Sequence, residues 1–71
     1  MINVWDYQDV EGKVKLTCTD GQVFVGNMGE ITDVGEESED YGFGEDSLTI
    51  YSDRRAIVFP QSEIKSIEIL G

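Results

Sequence analysis

The residues able to do chemistry in this chain are few. Among 71 residues there are 15 acids, five bases, one cysteine and no histidine. The single thiol, Cys18, alternates with Val14 and Leu16 and has no cation beside it in sequence. It reads as a small buried hydrophobe, because a reactive thiolate needs a nearby positive charge or base. Carboxylates crowd one stretch, "DVGEESEDYGFGED", in which Asp33, Glu36, Glu37, Glu39, Asp40, Glu45 and Asp46 make seven acids without a base. Paired carboxylates perform acid–base work only where a pocket drives their pKa values apart, which a solvated loop does not do. The stretch also lacks the Asp-x-Asp-x-Asp-Gly order of a calcium loop, so weak, unselective cation binding is the most it offers. The reading is a protein that is not an enzyme, with no catalytic residues, no metal and no cofactor.

The net charge is -10, and outside that stretch it falls to -3, from eight acids against five bases. Acidic blocks of this kind are usually solvated. Tyr41 and Phe43, set between glycines inside the block, break that pattern and mark a candidate docking point. The five cations are Lys13, Lys15, Arg54, Arg55 and Lys65. Affinity for nucleic acid comes largely from cations that neutralise phosphates. Only a patch built around Arg54 and Arg55 would supply them, so nucleic acid is not the expected partner. The first ten residues have neither the basic nor the apolar region of a signal peptide. The longest purely apolar run, Ala56–Phe59, is too short to span a bilayer. A cytoplasmic protein without membrane contact is expected, and the lone cysteine fits a reducing compartment.

These residues must be positioned by a small scaffold. "KVKLTC" alternates as a half-buried strand, with Val14, Leu16 and Cys18 on one face. Asp20-Gly21 is a hairpin signal, and "QVFVGNM" is the returning strand. A two-residue loop would turn Val23 and Val25 inward. A three-residue loop through Gln22 sets Phe24 beside Cys18 and Gly26 beside Leu16. The second is preferred, since it buries the largest side chain and puts glycine where a strand must bend. It leaves Val23 and Val25 outside as a candidate subunit contact. "SLTIYSD" is a third strand. Asp53-Arg54-Arg55 is a turn, "AIVFP" a fourth strand, "QSE" a helical turn and "IKSIEIL" a fifth strand. Asn3 is placed to cap a short N-terminal helix of about two turns, "VWDYQDVE", ending before Gly12 and docking Val4, Tyr7 or Val10, with an extended leader as the alternative. The expected core is Val14, Leu16, Cys18, Phe24, Leu48, Ile50, Val58, Ile67 and Ile69. Five short strands with tight connections make a small all-β barrel or sandwich, within one domain over residues 1–71 that carries an acidic loop at 34–46.

On these residues the chain resembles the Sm-like family. "KVKLTCTDGQVFVGNMGEITD" is similar to the first Sm motif, with Asp20, Gly21, Phe24, Gly26 and Asp33 matching in type and spacing. "AIVFPQSEIKSIEIL" is similar to the second in length and apolar pattern, with Ile64 and Ile67 at its apolar positions. The resemblance implies a strongly bent five-stranded barrel of the SH3-like, Sm-like type with a short N-terminal helix. It also implies assembly, in which the fourth strand of one subunit pairs with the fifth of the next. The family's RNA-contacting residues are missing. Ser47 is the nearest counterpart of the base-contacting Asn, Pro60-Gln61 stands where Arg-Gly is usual, and no histidine is available for the Tyr-Lys-His pocket of the Hfq branch. The expectation is a non-catalytic, homo-oligomeric Sm-like scaffold or binding module that acts through protein contacts. The alternatives are a divergent RNA-binding Sm-like protein and an acidic decoy of a nucleic-acid-binding surface.

Overall fold

The computed structural model describes residues 2–33 and 45–71. The acidic segment 34–44, with Tyr41 and Phe43, lies outside the described residues. Five strands run in chain order: β1 Lys13–Cys18, β2 Val23–Thr32, β3 Ser47–Ser52, β4 Arg55–Pro60 and β5 Ile64–Ile69. All neighbours are antiparallel, and the order across the sheet is β4-β3-β2-β1-β5. The protein is thus mostly β, one unclosed sheet whose two edges are β4 and β5. Among the described residues no helix is long and apolar enough to cross a membrane.

The N-terminal segment is shorter and tighter than an α-helix. Asn3 does cap it, its side chain accepting from the Trp5 amide, but only Val4–Tyr7 are helical and the helix is 3-10. The hydrogen bonds Asp6 to Asn3, Gln8 to Trp5 and Val10 to Tyr7 all span three residues. Eight residues cannot offset the cost of nucleating an α-helix, so packing decides the shape. Val4 is fully buried, with Ile2, Trp5 and Val10 packed against the core.

The first hairpin has the expected faces and a different register. The Cys18 amide donates to the Gln22 carbonyl at 2.8 Å, and the Gly21 amide donates to the Cys18 carbonyl at 3.0 Å. The loop is therefore Thr19, Asp20 and Gly21, not a loop through Gln22. Phe24 comes opposite Leu16 and Gly26 opposite Val14. The slip is two residues, and a slip of two leaves every side chain on its face. Phe24 still points inward, and Val23 and Val25 are 50% and 44% exposed.

The second hairpin differs by one residue, which reverses the faces. Asp53 and Arg54 both have positive φ, 50° and 64°, and Ser52 pairs with Arg55. This is a two-residue turn of the primed kind, whose twist suits adjoining strands. It brings Ile57 opposite Ile50 and Phe59 opposite Leu48. A three-residue turn would have brought Val58 inward. Phe59 is buried in its stead, with Ile57 packed on the core.

Two irregularities bend the sheet. Between Met28 and Ile31 the register of β2 against β3 shifts by one, so that Phe24, Gly26 and Met28 face inward before the shift and Ile31 after it. Between Thr17 and Cys18 the register of β1 against β5 shifts likewise, which lets both Ile64 and Ile67, three apart, face the core. Val4, Val14, Leu16, Cys18, Leu48, Ile50, Phe59 and Ile64 form the buried cluster. Ile69 does not join it. It pairs with Val14 at the end of an edge strand and is 56% exposed, since no neighbouring strand covers it.

Candidate functional site

Most of the sequence-marked residues turn out to build the hairpins and the joint beside them. Asp20 closes the first turn, its Oδ1 accepting from the Gln22 amide at 3.0 Å. Gly21 sits there at φ 93°, a conformation that costs a side-chain-bearing residue energy. Gly26 is needed for a different reason. A Cβ on it would lie 2.5 Å from the Tyr51 carbonyl oxygen and 2.7 Å from Ile50 Cγ2. The bent β2 crosses β3 closely here, and only a residue without a side chain fits. Asp33 follows the last residue of β2, at an exposed position.

The joint between β4 and β5 is built by residues that sequence reasoning did not connect. Pro60, buried, leads into a second 3-10 turn, Gln61–Glu63. Gln61 Oε1 accepts from the Val4 amide at 2.9 Å, and the Gln61 amide donates to the Asp46 carbonyl at 2.9 Å. Trp5 Nε1 donates to Asp46 Oδ2 at 2.7 Å. The Glu45 carboxylate takes the Ser62 amide at 2.5 Å and the Ser62 hydroxyl at 2.9 Å. The last two acids of the acidic stretch thus hold the N-terminal turn and the second 3-10 turn together. Their proximity to "LTI" was the only signal in sequence, and it did not name their partners.

The residues that the Sm-like resemblance sets against RNA-contacting positions are used otherwise here. Ser47 is 1% exposed. Pro60 and Gln61 belong to the joint just described. The cations do not gather. Lys13 pairs with Asn27 and Lys15 with Glu68 across neighbouring strands. Arg54 lies in the β3–β4 turn with Arg55 at its exit, and Lys65 lies on β5. Among the described residues no three His, Cys, Asp or Glu side chains converge to hold a metal ion.

Two grooves flank the second 3-10 turn. One, of about 680 Å³, runs from Ile2 and Tyr7 along Ile64, Lys65 and Ile67. The other, of about 390 Å³, lies between the β1–β2 turn and the end of β4, over Cys18, Phe24 and Phe59. Phe24 and Phe59 form a tilted aromatic pair there, 5.0 Å between ring centroids. Cys18 is buried at its floor, and burial, then the charges of Asp20 and Glu63, push its thiol pKa up. The thiol is thereby held protonated, the opposite of what a nucleophile needs. Comparison with protein-family models, with curated proteins and with solved structures gave no match.

Proposed function

We propose that the chain is a divergent Sm-like barrel that serves as a non-catalytic, homo-oligomeric scaffold acting through protein contacts. The observation that carries this reading is the pair of open sheet edges. β4 and β5 end the sheet, each with an outer row of backbone groups that no strand among the described residues covers. The β5 edge runs out through Ile69 and Leu70, which are 56% and 43% exposed. Uncovered edges template pairing with another chain, and small domains gain burial by associating. Val23 and Val25 on the outer face of β2 extend the apolar surface available to a neighbour. The buried Cys18, the absence of histidine and the dispersed cations support a role without chemistry or phosphate binding.

Light scattering coupled to size exclusion at micromolar concentration tests the assembly. A mass that is a multiple of 7.9 kDa is expected. Substituting Ile69→Pro removes an outward-facing amide from the free edge of β5, since the next amide, that of Leu70, is the one that donates to β1 at Lys13, and should shift the population toward single chains. A wild-type chain that elutes as a clean monomer overturns the assembly.

A further inference from the structure

We propose that the groove between the β1–β2 turn and the end of β4 is a docking site for a basic, apolar peptide segment of a partner protein. The proposal rests on the reading of the chain as a binding module acting through protein contacts, and it names the class of partner. The floor is apolar, formed by Phe24, Phe59 and the buried Cys18, with Val58 and Pro60 at the β4 wall. Among the described residues the charged lining residues are Asp20 and Glu63, both acids, and no lysine or arginine lines the groove. Both carboxylates act on Cys18, so their fields meet over the same floor.

The walls are tied together. The Thr19 amide donates to the Glu63 carbonyl at 3.0 Å, linking the hairpin turn to the second 3-10 turn. Asp20 is oriented by its bond from the Gln22 amide, which uses one carboxylate oxygen and leaves lone pairs on the other. An aliphatic or aromatic side chain on the phenylalanines, with an arginine or lysine reaching the rim, satisfies both features of the groove. The net charge of -10 adds a long-range attraction for such a segment. The same charge disfavours a second copy in this role, since this chain offers only five cations against 15 acids.

The test is fluorescence anisotropy of the full chain with a labelled short peptide of alternating leucine and arginine, at about 0.15 M salt. Saturable binding is expected, with none for the matching leucine–glutamate peptide and weakened binding for serine–arginine. Asp20→Asn with Glu63→Gln should weaken binding about tenfold. The asparagine keeps an oxygen for the Gln22 amide, and circular dichroism checks the fold. Glu36→Gln with Glu37→Gln removes the same charge from another part of the sequence and should change little. Glu63→Gln alone, at an exposed position, is the second variant and should act in the same direction. Equal losses in the two double variants, or no saturable binding by the wild type, overturn the proposal. A peptide copying residues 53–58 that binds as tightly as the probe would make a second copy the occupant, and overturns the choice of a foreign partner. Light scattering on the same samples separates the two readings. An assembled chain that ignores the peptide loses the groove alone, and a monomer that binds it keeps the groove and loses the assembly.

Discussion

Gly26 is fixed by the close crossing of β2 and β3. A methyl group there would meet the Tyr51 backbone and Ile50 at distances that real Cβ atoms do not adopt, and backbone cannot move aside cheaply. Gly26→Ala should cost about 1–3 kcal/mol, read as a lower urea midpoint at unchanged slope. Gly21→Ala has open space around it, so its cost is conformational only, about 1–2 kcal/mol. Cys18 supplies a pH-dependent prediction. Its thiol is pushed up by burial first, then by Asp20 and Glu63. A group whose folded pKa exceeds its unfolded value stabilises the fold fully below the unfolded pKa, about 8.5 for cysteine. That stabilisation is lost as pH rises through the higher folded value. The urea midpoint of the wild type should therefore fall more steeply than that of Cys18→Ala as pH is raised from neutral into the alkaline range. Parallel curves for the two proteins would sink this assignment.

Among the elements, the connection between β2 and β3 divides into two parts. Thr32 pairs with Ser47, so 33–46 closes a hairpin. Its last two residues hold Trp5 and Ser62. Replacing residues 34–44 with Gly-Asn should leave the sheet folded, because loop entropy changes slowly with length. Extending the replacement through Asp46 should cost about 1.5–3 kcal/mol more, the range for hydrogen bonds to charged groups. Thermal melts of the two variants decide it. Equal midpoints would mean that Glu45 and Asp46 contribute nothing. The joint also explains why the N-terminal segment is a 3-10 turn. Val4 must bury its side chain while its amide reaches Gln61 and Trp5 reaches Asp46, and one tight turn meets all three.

At the scale of the whole molecule, charge and the proposed assembly would act together. Each chain brings a net charge of -10, and an oligomer multiplies it. A phosphate chain is repelled at long range, with screening within about 8 Å at physiological salt. A pocket with good contacts would overcome that repulsion. Ser47, however, is buried, and Pro60 has neither a charge nor an amide hydrogen to offer. Anisotropy with labelled oligo-U and oligo-A at low salt, the condition most favourable to binding, should show no saturable binding at low micromolar concentration. Saturable binding that disappears in Arg54→Ala with Arg55→Ala would establish the divergent RNA binder.

Alternation, β-branched residues and turn residues determined which segments of this chain are strands. "KVKLTC" and "SLTIYS" carry the period of two in their side chains, "IKSIEI" is rich in β-branched isoleucine, and Asp20-Gly21 announces its turn, so these elements were legible without coordinates. The inward faces of the first hairpin were legible too, because an error of two residues in a turn preserves parity. The faces of β4 were not. Whether Asp53-Arg54 or Asp53-Arg54-Arg55 makes the turn changes parity by one, and two non-glycine residues at positive φ give no strong signal in sequence. Only the packing of Phe59 against Phe24 and Leu48 decides it. The joint of Trp5, Asp46, Glu45, Gln61 and Ser62 likewise belongs to tertiary structure. Its partners lie up to 57 residues apart, and no local rule links a backbone amide to a glutamine side chain, or an indole to a carboxylate, at such separations. The groove over Phe24 and Phe59 arises for the same reason, since its walls come from residues 18–24 and 58–63, distant in sequence, and meet only when the sheet folds.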